Sequence, residues 1–178
     1  AGHLVTLQDA GLSLGHALAL HGTFADGAIT HHLRGNLVSA EWCAAWDAAL
    51  LGFWQSRVTL RDFRPDQLQQ LAMRGTDGGL GVQTATNRRA AAFLGSWELC
   101  LAPVATTLGF ATGEAFRGAV PHVAATVERA GADYRALGAS TAGYRFQWNA
   151  LAAAGVAKRQ GILMEDVKSA QLPTLIAG

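Results

Sequence analysis

A mainly α-helical fold is predicted by three features of the 178-residue chain. Ala, Leu and Gly dominate and β-branched runs are few, a balance that favours helix over sheet. Apolar residues recur at helical rather than alternating spacing along most of the length. Capping residues and prolines fall where helices would begin and end. The expected architecture is a multi-helix, bundle-like core over 1–137, a linker over 138–143 and a helical C-terminal extension over 144–178. A glycine-rich turn lies near the middle.

Taken in order, Leu4 to His21 carries apolar residues at 4, 5, 7, 12, 14, 18 and 20 and reads as a helix. Phe24 to Leu33 forms a second, short one, with Thr23 or Asp26 as cap and Gly35-Asn36 closing it. Ser39-Ala40-Glu41-Trp42 opens the clearest helix: Ser39 caps, Glu41 lies in the first turn, and Trp42, Trp46, Leu50 and Phe53 or Trp54 repeat at helical spacing. Core packing is the plain reading of that aromatic stripe, with a base-stacking surface or a partner-docking face as alternatives. Arg57 to Arg64 is a connector, and Pro65 starts a helix that runs from Asp66 to Met73.

Ala72-Met73-Arg74-Gly75-Thr76-Asp77-Gly78-Gly79-Leu80-Gly81-Val82 is the least helical stretch of the chain. Gly75, Gly78, Gly79 and Gly81 mark a turn that needs positive φ. A helix capped by Thr84 or Thr86 follows to about Leu101, ended by Pro103. Thr112-Gly113-Glu114 opens a short helix and Pro121 a longer one to Leu137. Tyr144 to Ala154 and Val156 to Leu172 are the expected terminal helices.

Half the residues are hydrophobic, 15% are charged and the formal net charge is +1. That balance excludes a disordered chain and a strong general nucleic-acid binder, because phosphate neutralisation carries most of such affinity. No apolar run reaches the roughly 18 to 20 residues of a membrane span, so no transmembrane segment is expected. Ala1-Gly2-His3 is not the basic start of a secretory signal; the expectation is intracellular, with no compartment indicated. Cys43 and Cys100 suit buried free thiols better than a disulfide or zinc site. Twelve arginines stand against two lysines, for which a coding bias is the plain reading. Even so, Arg57, Arg61, Arg64, Arg74, Arg88 and Arg89 crowd into one third of the chain.

Chemical motifs are few. Gly11-Leu12-Ser13-Leu14-Gly15 matches G-x-S-x-G, yet no strand precedes it, and His16 would project from the wrong side of a turn to serve as base. Close helix packing accounts better for its small residues. Gly79-Leu80-Gly81 lacks the third glycine of a dinucleotide fingerprint, and the stretch lacks a phosphate-loop Lys. The six histidines hold no i, i+4 pair, so neither a metal nor a cofactor is expected. No catalytic residues are assigned. Arg88 and Arg89 sit in the first turns of a helix, where cations oppose the macrodipole. They would be better placed beside a phosphate or a carboxylate.

The segment Leu71 to Val82, followed by Thr86 and Ala90-Ala91-Ala92-Phe93-Leu94-Gly95-Ser96-Trp97, resembles the region just after the polymerase core of non-LTR retrotransposon reverse transcriptases. That family has a pattern near L-P-x-x-x-G-G-L-G-L before an Ala-rich helix. Upstream, His31-His32-Leu33-Arg34 and Trp46-Asp47-Ala48-Ala49-Leu50-Leu51 resemble its h-x-L-R and D-x-x-L helices. The likeness spans about Leu4 to Leu108, and Trp148 with Lys158-Arg159-Gln160 extends it weakly. There are departures. Ala72-Met73 replaces the family's Pro, Phe24-Ala25-Asp26-Gly27 lacks the second aspartate of the catalytic hairpin, and too few residues precede the glycines for a palm. The resemblance therefore implies the helical thumb and post-thumb region without the enzyme. Its implied partner is an RNA or RNA–DNA backbone, contacted by Arg74, Arg88, Arg89, Arg57, Arg61 and Arg64. The alternative is a domesticated accessory subunit within a larger multiprotein complex, membrane-associated or not, docking through aromatics such as Trp42, Trp46, Trp54, Trp97 and Trp148.

Overall fold

The computed structural model describes residues 11–58, 64–73, 79–138, 146–148, 162, 163, 166 and 167. These residues are mainly helical and contain no strand. Of the expected terminal helices, the first is described only at 146–148, where the backbone is not helical, and the second only at 162, 163, 166 and 167, which are helical. Their other residues and most of the linker lie outside the described residues.

Helix α1 is Leu14–Leu20, capped by Ser13, whose Oγ accepts from the His16 amide. A break before the next helix was expected, but the chain runs on through a π-helical turn, His21–Ala25, into α2, Asp26–Gly35. Neither Thr23 nor Asp26 caps anything, because Leu20, Ala25 and Asp26 all keep right-handed helical dihedrals. The wide turn lets one rod serve two seams. Ala17 packs with Leu50, Trp54, Leu71 and Val82, whereas Ile29 and Leu33 pack with Cys43, Ala85 and Ala92. Asn36, in extended conformation, stops the rod.

Helix α3, Ala40–Val58, starts where Ser39 Oγ accepts from the Trp42 amide at 3.2 Å. Its buried line is Cys43, Asp47, Leu50 and Trp54, which alternates four and three residues apart as one helical face must. The expected line began at Trp42; in the structure that end of the helix is rotated outward, leaving Trp42 40% exposed and Trp46 half-buried. Helix α4, Pro65–Ala72, begins with its proline at the first position, and the Arg64 amide donates to Gln67 Oε1 at 3.0 Å.

The glycine-rich stretch closes back on α4. The Gly81 amide donates to the Met73 carbonyl at 2.7 Å and the Val82 amide to the Leu71 carbonyl at 2.9 Å. Gly81 has φ +71°, and a Cβ on Gly79 would overlap the Met73 carbonyl. Both positions therefore favour glycine, one by dihedral and one by space. Gly75 and Gly78 lie outside the described residues.

Helix α5, Ala85–Thr107, is capped by Thr84, whose Oγ1 accepts from the Asn87 amide. It does not end at Pro103 as expected. A proline lacks the amide that would bond four residues back and normally breaks a helix. Here Pro103 faces solvent, while Leu101 and Ala105 on either side of it are 2% and 3% exposed. Burial of the flanking residues carries the helix across the defect. Cys100, expected to be buried, is exposed, because it faces away from the Leu94–Leu101–Ala105 line; Cys43 is buried as expected.

Helix α6, Gly113–Ala119, is capped by Thr112, and α7, Pro121–Ala136, starts at its proline. The largest core cluster joins α5, α6 and α7 through Phe93, Leu94, Leu101, Phe116, Val127 and Tyr134. Trp148, Leu163 and Val167 from the C-terminal part enter the same cluster. Tyr134 Oη lies 3.1 Å from Asp166 Oδ2, and a Cβ on Gly113 would overlap the Trp148 carbonyl. Among the described residues, no helix is long and apolar enough to cross a membrane.

Candidate functional site

The polar chemistry of the molecule converges on the first two turns of α5. A helix start leaves four backbone amides unpaired. Two of them are answered from α3: Asp47, 8% exposed, accepts from the Ala85 amide through Oδ1 at 2.5 Å and from the Thr86 amide through Oδ2 at 3.0 Å. Thr84 satisfies a third, that of Asn87. A carboxylate there also complements the positive end of the dipole. This cap spans 38 residues of sequence, so it fixes α3 to α5 and does more than end a helix.

Arg88 and Arg89 extend the same knot. Arg88, its side chain 6% exposed, sets Nη1 2.6 Å from Asp26 Oδ1 and donates to Thr30 Oγ1 at 3.1 Å, both on α2. It also donates to the carbonyls of Gln83 and Thr84. Arg89 donates to the Val38 carbonyl at 2.8 Å and pairs with Asp133 of α7 at 2.6 Å. Of the two companions the sequence allowed, phosphate or carboxylate, each arginine stands beside a carboxylate of its own chain. The cost of two cations near a helix start is offset by anions contributed from α2 and α7.

The other arginines are arranged differently. Arg64 is exposed and forms an ion pair with Asp66 at 2.9 Å. Arg61, Arg74 and the side chain of Arg57 lie outside the described residues.

The five tryptophans divide by depth. Trp54 is fully buried and Trp148 nearly so, whereas Trp97 is half-buried, its ring centroid 6.2 Å from those of both Phe93 and Phe116. Trp42 stacks on Trp46, with centroids 5.8 Å apart and planes 15° apart, and His32 lies 5.4 Å away at a tilt. Flanked by both rings, Trp42 is not a free stacking platform. Phe24 and Leu108 are other large apolar side chains facing outward, at 67% and 60% exposure. An apolar groove of about 440 Å³ lies between α3, α4 and the start of α5, walled by Leu50, Leu51, Leu68, Leu71 and Val82.

Two histidines bear on chemistry. Ser13 Oγ lies 2.7 Å from His16 Nδ1, so His16 does reach Ser13, contrary to the geometry expected of the G-x-S-x-G stretch. Both side chains are exposed, and Ser13 is occupied as a helix cap. His21 is 4% exposed, and neither ring nitrogen has a hydrogen-bond partner among the protein atoms. Burial pushes its pKa down and the Arg88 cation adds to that, while Asp26 pulls the other way. Among the described residues no group of His, Cys, Asp or Glu is arranged to hold a metal ion.

Sequence reasoning missed Asp26, Thr30 and Asp133 as partners. No local pattern links residues 44 to 62 positions apart, and the one available signal was the misplacement of two cations at a helix start. Asp47 was visible as part of a family-like helix, but not as a cap. Fold and site together define an all-α protein whose central helix is held at its first turns by buried charge and backbone caps. Comparison with protein families, curated proteins and solved structures finds no match for the chain.

Proposed function

We propose that this chain is a non-catalytic helical subunit that acts by packing within a larger protein assembly, and that it descends from the post-palm region of a retroelement reverse transcriptase. One observation carries the choice. The two arginines best suited to a phosphate backbone are turned inward onto Asp26 and Asp133, while Phe24, Trp42 and Leu108 face outward. With these two cations spent on internal pairs, the exposed apolar side chains are the contact resource this reading draws on.

The residues that carry the family likeness support the same view. Asp47 caps α5, Leu33 is buried, Gly79 and Gly81 close the turn, and Ala90 to Leu94 line the core. What resembles the reverse transcriptases is thus the part of the sequence that builds a helical frame.

That likeness also favours a second reading, contact with an RNA or RNA–DNA backbone, and with Arg88 and Arg89 committed internally such contact falls to Arg57, Arg61, Arg64 and Arg74. One experiment separates the two. The protein is isolated from its native source with and without nuclease, and its assembly size is measured by sedimentation. A protein assembly that survives nuclease is the expected result. Collapse to the free chain after nuclease, together with salt-dependent binding of the purified chain to an RNA–DNA duplex, would replace the first reading with the second.

A further inference from the structure

The π-helical turn places a buried titratable group at a joint. His21 points into the seam between the N-terminal rod and α3, where its ring meets Trp54 edge-on with centroids 5.7 Å apart. Both His21 nitrogens and Trp54 Nε1 are buried without a protein hydrogen-bond partner. A buried polar group in this state disfavours the closed arrangement. A π turn inside an α-helix is frequent at functional sites and is one of the places where helices kink. On its C-terminal side α2 is stapled to α5 through Asp26, Thr30, Ile29 and Leu33. On its N-terminal side, among the described side chains, Ala17 is buried and Leu12 and Leu18 pack partly buried beside it, with no ion pair to α3 or α4 among the described residues. Among the described residues, the joint thus separates an arm fastened by charge and apolar contact from one held by apolar contact alone.

We infer that His21–Ala25 is an acid-released hinge, at which protonation of His21 frees α1 from α3 and α4 and uncovers Leu50, Trp54 and Leu71. The charged groups that act on His21 are Asp26 on α2 and Arg88 on α5; from α3 it meets the neutral Trp54 ring. Asp26 is already paired with Arg88, so it offers an incoming imidazolium only a shared carboxylate. The released form exposes the ring to water, where it takes a proton at its ordinary value of 6.5. In the closed form the value is lower, so the released form binds the proton first. Closure is therefore fully favoured above pH 6.5 and weakens as pH falls toward the lowered value.

The test is hydrogen exchange on the full-length chain at pH 7.5 and 5.5, corrected for intrinsic rates, for the wild type and His21→Phe. In the wild type, opening of residues 14–25 should rise several-fold, to a ceiling of about tenfold, since each unit of pKa difference is a factor of ten. Ala85–Thr107 should keep its protection, and His21→Phe should remove the pH dependence of residues 14–25. An equal pH response in His21→Phe, or parallel loss of protection in α5, would overturn the hinge. If His21→Phe does not fold, the wild-type exchange decides: a rise in opening between pH 7.5 and 5.5 confined to residues 14–25 supports the hinge, and no rise there, or an equal rise in Ala85–Thr107, sinks it.

Discussion

The two ends of the molecule are held by different physics. The α5–α6–α7 region, with Trp148, Leu163 and Val167, is a continuous apolar cluster in which Leu94, Val127 and Tyr134 are fully buried. The seam formed by α1, α3 and α4 rests on Ala17, Leu50, Trp54, Leu71 and Val82, beside an open groove and an unpaired buried histidine. Between them lies the start of α5, where charge replaces apolar area. A chain with only 15% charged residues thus concentrates several of them at the junction its helices share. The difference suggests where stability resides and where movement is cheap.

Core truncation should show the contrast most strongly. Leu94→Ala should cost about 4 kcal/mol, while Leu71→Ala, whose site borders the groove and can relax or admit water, should cost nearer about 2 kcal/mol. Urea unfolding of the two variants measures this, and equal losses would erase the distinction between the halves. The junction comes next. Arg88→Met strands Asp26 and leaves Thr30 and two carbonyls without a donor, and should cost about 2–3 kcal/mol. A double-mutant cycle with Asp26→Asn should return a coupling of about 1–2 kcal/mol; a coupling near zero would mean the ion pair is incidental.

Turn and cap changes rank lower. Gly81→Ala forces a side chain into positive φ and should cost about 1–2 kcal/mol, and Thr84→Ala should cost about 1 kcal/mol through its lost cap. Thermal melts resolve both. A Gly81→Ala protein as stable as the parent would show that the turn relaxes freely. The smallest expected effect concerns reactivity alone. Burial, with Asp47 nearby, pushes the Cys43 thiol up despite the opposing Arg89, and Cys100 is exposed. In native buffer a thiol reagent should therefore label Cys100 first and Cys43 only with unfolding. Simultaneous labelling would place Cys43 in a part of the fold that opens readily.

Local chemistry decided much of the architecture in advance. Helical periodicity, Ser39, Thr84 and Thr112 as caps, and Pro65 and Pro121 as helix starts act within a few residues, so their effects are written into the sequence at short range. The glycine turn was legible for the same reason, since a positive φ at Gly81 is a property of one residue. The failures share a cause too. Pro103 was expected to end a helix that burial of Leu101 and Ala105 sustains. Thr23 or Asp26 was expected to cap a helix where the chain instead runs on through a π turn, packed against α3 on one side and α5 on the other. Trp42 was expected inside on a helix whose neighbours bury a different line. In each case a distant contact outweighed a local preference.

The candidate site belongs almost wholly to that second category. The sequence by itself determined that two arginines would sit at the start of a helix and need anions. Only the tertiary structure decided that Asp26 and Asp133 would supply them and that Asp47 would cap the helix from 38 residues away. Coulomb attraction and amide hydrogen bonding depend on distance in space, and separation along the chain does not report that distance until the helices have packed.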